Sequence, residues 1–277
     1  MRNGVANGAT HALVQSAERR TPQSVDRACA LLDFLLRCAE RGASLTEVAA
    51  ALDVHKSTGL RLLTSFETAS LVMRSPASGR YQLGLGLVAL AGSVLGHLPI
   101  LRIADPQLRR LAEDTRRTVN LAVRHRDQIL NVDQISSPDV QRSPDWLGRR
   151  APLHKGAAAK ALLAHLESAE SEGYLTALES TEFAPAAAAL RIDLAEIRTR
   201  GFAINHGEVD PQVTAIGAPI FDASGSCLAS ISIAWYDGDN EGAVQQRLDE
   251  LARPLLQTAR TISRQLGYTS RHNILLA

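Results

Sequence analysis

"LTEVAAALDVHKSTGLRLLTSFETASLV", residues 45–72, sets two short helical patterns on either side of an Asp-Val break. Leu45, Val48, Ala49 and Leu52 recur at i, i+3, i+4 and i+7, which makes one apolar stripe. Ser44, with Glu47 three residues on, forms a capping-box pattern at the start of that helix. The next helix begins near His55 and buries Gly59, Leu62, Leu63 and Phe66 at the same spacings. Its opposite face then displays Ser57, Thr58, Leu60, Arg61 and Thr64, with Lys56 at the N-terminal end. In a helix-turn-helix the second helix brings its N-terminal residues to base edges in the major groove. Small hydroxyls let the backbone approach DNA, while Lys56 and Arg61 can reach phosphates or guanine edges. A solvated helix face in a protein-binding module would show the same residues, and that alternative stays open at this point.

The flanking sequence extends the motif. An earlier helix is expected over about residues 24–40, with Ser24 as N-cap and Val25, Ala28, Leu32, Leu35 and Ala39 as its stripe. After the third helix, "LVMRSPASGRYQLG" reads as two short strands around a Ser-Pro-Ala-Ser-Gly turn. Arg74 and Arg80 flank that turn, placed to grip the backbone or the minor groove. Three small helices and a hairpin make a winged helix-turn-helix over 22–84. From Leu85 a linker helix is expected to about 105, with Leu87, Leu90, Ala91, Val94 and Leu95 in line until Pro99. A further helix re-starts at Asp105-Pro106 and runs to about 116. The linker's apolar face exceeds what one small domain needs, so a second copy of the chain is its natural partner.

The second domain is expected over 106–277, and residues 118–277 mix both periodicities. "TVNLAVRHR" and "QILNVDQIS" are strand-like, "PLHKGAAAKALLAHL" is a strand end running into a helix, and "ALRIDLAEIRTRGF" is a helix ended near Gly201. "VTAIGAPIFDASGSCLASISIAW" reads as a hairpin turned at 222–225, and 243–266 as a closing helix. Hairpins interleaved with helices suggest an α+β domain on an antiparallel sheet.

Composition sets the outer limits. A chain of 277 residues suits two domains, with ordinary apolar and charged fractions. No apolar run approaches the roughly 18 residues of a membrane span, so no membrane partner is expected. Residues 1–21 lack a secretion signal and read as a flexible polar tail. Cys29, Cys38 and Cys227 make neither a disulfide framework nor a metal cluster, and the cytoplasm is the expected location. Net charge is +1, but residues 1–84 carry +3 and the remainder −2, a mild bias of the N-terminal part toward a polyanion.

"SVDRACALLDFLL", "SLTEVAAALDVHKSTGLRLLTSF", "GRYQLGLGLVALAG", "RRAPLHKGAAAKALLA" and "GFAINHGEVDPQVTAIGAPIFDASGSCLASISIAW" together resemble the IclR family of bacterial transcriptional regulators. The resemblance runs colinearly over about residues 22–268. It implies a winged helix-turn-helix, a linker helix and a GAF-like domain that binds a small organic acid. It also implies a homodimer, or a dimer of dimers, on a palindromic double-stranded DNA operator. Members are often repressors of catabolic operons, and some are activators. By position, Lys56, Ser57, Thr58 and Arg61 match the recognition helix, and Gly79, Arg80 and Tyr81 the end of the wing. Gly59 and Leu60 depart from the family, which usually has Val or Ala and then His or Tyr there. Ala157, Ala158, Asn205, Val213, Ala215, Ser232 and Ala234 match positions of the effector pocket. Asn205 stands for a usual Asp, Ala215 for a Cys and Ala234 for a Ser, departures that fit a ligand with more apolar surface, such as an aromatic or longer carboxylate, or a dianion, and equally a pocket that has degenerated by drift.

The rival readings are an enzyme built on His154, Lys155 and Glu208, and a sensor whose helix-turn-helix binds protein. "GLGLVALAG" lacks a βαβ context and is no dinucleotide fingerprint. His206 and Glu208 would hold a metal only with a third ligand from elsewhere. No cofactor is implied.

Overall fold

The computed structural model describes residues 22–138, 140, 145–236 and 241–269, without the side chains of 241–243. The polar tail expected over 1–21 lies outside the described residues. The chain divides into two units between Leu98 and Pro99.

The first unit holds α1 (Gln23–Arg37), α2 (Leu45–Ala51), α3 (Lys56–Thr68), β1 (Val72–Arg74), β2 (Tyr81–Leu83) and α4 (Gly86–Gly96). The capping box is present: the Glu47 amide donates to Ser44 Oγ at 3.2 Å, and the Ser44 amide to Glu47 Oε2 at 2.8 Å. α3 buries Gly59 and Leu63, with Leu62 and Phe66 packed at the margin of the same core. β1 and β2 pair antiparallel, and Ala43 bridges Tyr81 to join the hairpin to the start of α2.

α1 departs from expectation. Its N-cap is Pro22 rather than Ser24, and it ends at Arg37. The buried face carries Leu31, Leu35 and Cys38, while Val25 is exposed. Only the C-terminal half of α1 belongs to the core shared with α2, α3 and the hairpin, so its first turns have no apolar surface to cover.

The second unit comprises α5 (Pro99–Thr115), β3 (Thr118–His125), β4 (Gln128–Ser136), β5 (Arg150–Pro152), α6 (Ala157–Ala164), α7 (Ser168–Glu179), α8 (Ala184–Arg200), β6 (Ala203–His206), β7 (Val213–Phe221), β8 (Cys227–Tyr236) and α9 (Glu241–Gln265). The expected re-start at Asp105-Pro106 is absent: α5 runs through Pro106. Ile100, Ala104, Leu108, Leu111 and Ala112 form one buried stripe along it, and burying that stripe outweighs the hydrogen bond lost at proline. The expected boundary at 105/106 therefore falls inside a helix. α7 was not foreseen.

The six strands form one antiparallel sheet in the order β5-β4-β3-β8-β7-β6. Every residue of β7 from Val213 to Ile220 is buried, so both of its faces are covered. α6, with α7 and α8 behind it, takes one face, while α5 and α9 pack together on the other.

α6 lies unusually close to the sheet. A Cβ on Gly217 of β7 would fall 2.6 Å from the Ala157 carbonyl carbon and 2.8 Å from the Ala158 nitrogen. The start of α6 therefore rests directly on strand backbone. Gly156, its N-cap, has φ 90° and ψ 153°, a conformation open essentially to glycine alone.

Two glycine substitutions should separate these roles. At Gly59 an added Cβ would meet Leu45 Cδ1 at 3.5 Å and Ala49 Cβ at 3.6 Å, which is ordinary contact. Gly59→Ala should raise stability in chemical denaturation by about 0.5–1 kcal/mol through helix propensity. Gly217→Ala should lower it by about 3 kcal/mol or more, because backbone must move. Equal effects would show that the close approach at Gly217 is not a constraint.

Candidate nucleic-acid interface and ligand cavity

The outward face of α3 is built by what its inward face buries. Ser57, Leu60, Arg61 and Thr64 follow one another at helical spacing, all exposed, with Lys56 beside them; Thr58 is half-buried. Among the described residues, the side chains of Lys56 and Arg61 have no intramolecular partner. His55 is the N-cap: Nδ1 accepts from the Ser57 amide at 3.3 Å and lies 2.9 Å from Ser57 Oγ. Sequence reading had placed His55 only at the helix start. Its imidazole orients the hydroxyl that opens the outward face.

The two wing arginines differ. Arg74 is exposed, donates to the Gly79 carbonyl at 3.0 Å and stacks over Tyr81. Arg80 turns inward, donating to the Arg41 and Gly42 carbonyls at 2.9 and 3.0 Å and pairing with Glu47. Glu47 also accepts from Arg41 at 2.8 Å. The Ser44 amide, with Arg41 and Arg80, holds the Glu47 carboxyl down at about 2. Arg80 therefore fastens the wing to the cap of α2 rather than projecting from it.

In the second unit, all seven residues expected at a ligand pocket line one cavity. Ala157 and Ala158 bring the start of α6; Val213 and Ala215 come from β7, and Ser232 and Ala234 from β8. Asn205 comes from β6. The sequence reading missed Asn120 and Asn131, Trp146, Lys155 and the loop residues Val209 and Asp210, which also line it. Asn120 and Asn131 sit at regular positions of expected strands, and no local signal marked them. The first-turn amides of α6 have no i−4 carbonyl, and Gly156 supplies no side-chain cap.

A charge network stands beside the cavity and joins it at Gly156. Lys160 of α6 is 6% exposed and pairs with Glu208 at 2.6 Å and Asp193 at 2.8 Å. The second Glu208 oxygen accepts from the Gly156 amide at 2.8 Å, and Arg200 reaches Asp193 at 3.0 Å. Asn205 staples the same loop, donating to the Val213 carbonyl at 3.1 Å and accepting from the Glu208 amide at 3.2 Å. An aspartate at 205 could accept but not donate, so the departure to Asn has a structural use.

His154, Lys155 and Glu208 do not assemble into a catalytic set. The His154 Nδ1 lies 2.7 Å from the Tyr174 hydroxyl and its ring packs on Phe183, among core residues. Burial, with the Lys155 charge, lowers its pKa to about 4, leaving it neutral at pH 7. Both Glu208 oxygens are occupied. Burial pushes the Cys227 thiol up to about 12, which leaves it inert as a nucleophile. Among the described residues no group of three His, Cys, Asp or Glu could hold a metal. No single helix among them is long and apolar enough to cross a membrane.

Comparison with known proteins agrees with both halves. Residues 24–76 match the family model of the IclR helix-turn-helix domain, and 92–264 that of the bacterial transcriptional regulator IclR C-terminal domain. The HTH-type transcriptional regulator KipR of Bacillus subtilis is 30% identical over 253 residues, covering 89% of this chain and 98% of KipR. The HTH-type transcriptional repressor AllR of Escherichia coli is 28% identical over 88% of this chain and 90% of its own. The IclR regulator of Alicyclobacillus acidocaldarius superposes with a TM-score of 0.74 at 26% identity, over 89% of this chain and all of that one. These relatives are regulators and not enzymes, and the chain belongs to the IclR family of helix-turn-helix transcriptional regulators.

Proposed function

We propose that this chain is a ligand-responsive repressor that acts in the cytoplasm as a homodimer, or a dimer of dimers, on an inverted-repeat operator. The observation that carries the DNA reading is the outward face of α3, where Lys56 and Arg61 stand unpaired beside Ser57 and Thr64. Thr58 and the wing's Arg74 flank it, and Arg80 contributes by holding the wing in place. The repressor named among its relatives supports repression as the sign of control. The cavity at the start of α6 is assigned to a small organic acid, since helix amides and a nearby lysine favour a carboxylate. Ligand binding there alters operator affinity.

The arginines give the sharpest test. Arg61→Ala should weaken operator binding by about 1–3 kcal/mol in a gel-shift titration without changing thermal stability. If Arg61 touches phosphate alone, random duplex should weaken equally and the salt slope should fall by about one ion. Arg80→Ala should lower stability and operator affinity together, because it releases the wing. Operator binding unmoved by Arg61→Ala would reject α3 as the reading helix. Affinity that is flat against salt would favour a protein partner instead.

Assembly rests on α4. It has no buried residue, and Val88, Leu90 and Val94 are each more than half exposed. A second copy covering this helix would give the two-fold symmetry that an inverted repeat requires. Replacing Leu90 and Val94 together with Glu should abolish the dimer in sedimentation and cut operator affinity more than about tenfold, roughly 1.4 kcal/mol. A variant that still protects both half-sites at wild-type concentration would refute this interface.

A further inference from the structure

We infer that His55 fixes the polarity of the Ser57 hydroxyl, so that Ser57 can only accept from DNA and reads the exocyclic amino group of adenine or cytosine. The inference rests on the reading of α3 as the helix that meets base edges. The Ser57 amide belongs to the first turn of α3, where no i−4 carbonyl is available, and an amide can only donate. It donates to His55 Nδ1 at 3.3 Å, so Nδ1 carries a lone pair and the ring is neutral. Ser57 Oγ lies 2.9 Å from the same Nδ1. Lone pairs on both atoms would repel at that distance, so the hydroxyl hydrogen lies between them and Ser57 donates to the ring.

A serine hydroxyl has one hydrogen and two lone pairs, and here the hydrogen is spent inside the protein. What the exposed Ser57 side chain offers outward is acceptor alone. Thr64, exposed on the same face, has no partner for its hydroxyl among the described residues and can give or take. Lys56 and Arg61 can only give. In the major groove adenine N6 and cytosine N4 donate, whereas guanine N7 and O6 and thymine O4 accept. An unconstrained serine would meet either kind of edge, but a Ser57 held by His55 meets only the first. His55 is thus a positioning residue, which acts on the base through Ser57.

The test starts from duplexes that the full-length protein selects out of a randomised DNA library, for wild type and Ser57→Ala. The base pair whose preference Ser57→Ala flattens is the one Ser57 reads. In gel-shift titrations, removing the amino group from that pair (purine for adenine, 2-pyrimidinone for cytosine) should weaken wild type about tenfold more than Ser57→Ala. Replacing its purine by the 7-deaza analogue, which removes an acceptor, should weaken the two alike. His55→Gly frees the hydroxyl at little cost to the helix cap, and its loss on amino deletion should fall to within about twofold of that of Ser57→Ala. His55→Asn keeps an acceptor at the cap and should respond as wild type does. Each loss is a ratio within one variant, so a general weakening cancels. Should His55→Gly not fold, the two base analogues and His55→Asn decide. The inference is overturned by an amino deletion that costs wild type and Ser57→Ala alike, or by a 7-deaza duplex that separates them. It is overturned equally by His55→Gly responding as wild type, by His55→Asn responding as Ser57→Ala, or by a selected sequence that Ser57→Ala leaves unchanged. A wild-type protein that enriches no sequence overturns the reading of α3 along with it.

Discussion

The ammonium of Lys160 is buried on the first turns of α6, and its neutralisation ties that helix to α8 and to the loop before β7. A charge in that position is tolerable only if paired and hydrogen-bonded, and Asp193 and Glu208 meet that need from two different elements. Glu208 does so while its other oxygen takes the Gly156 amide. One side chain thereby joins the loop before β7 to the start of α6. Gly217 lets the same helix start rest on the sheet, beside the cavity that Ala157 and Ala158 line.

The helix-turn-helix unit uses the same economy of means. Glu47 caps α2, and its carboxylate then gathers Arg41 and Arg80, so that a helix cap also anchors the hairpin. The result is a rigid base from which α3 presents its outward face. In both units a glutamate beside a helix N-terminus accepts from a backbone amide and pairs with at least one cation, joining segments far apart in sequence. The difference lies in exposure: the Glu47 cluster is partly solvated and screened by salt, whereas Lys160 is held away from water.

Much of this could be read from local pattern. Ser44 and Glu47 announced a capping box because the motif is closed within four residues. Gly59, Leu62, Leu63 and Phe66 marked the inward side of α3, because a helix that buries one stripe necessarily exposes the other. The hairpins around 75–79 and 222–226 carried their own turn residues. What escaped had no local signature. Pro106 looked like a helix start, and the stripe from Ile100 to Ala112 overrode it. Arg80 looked like a DNA contact, and the Arg41 and Gly42 carbonyls and Glu47, more than thirty residues earlier, claimed it.

The sequence by itself determined the two-part organisation, the helix-turn-helix with its outward face, and the family to which seven scattered cavity positions could be matched. Period, caps and turn residues act over a few residues, so they are legible in one dimension. Only the tertiary structure decided that those seven positions line one space, that Asn205 is consumed in holding a loop, and that Asn120 and Asn131 join them in the wall. These facts depend on strand register and on a helix approaching backbone at Gly217. Register pairs residues about a hundred positions apart, and nothing in the neighbourhood of either residue records the pairing.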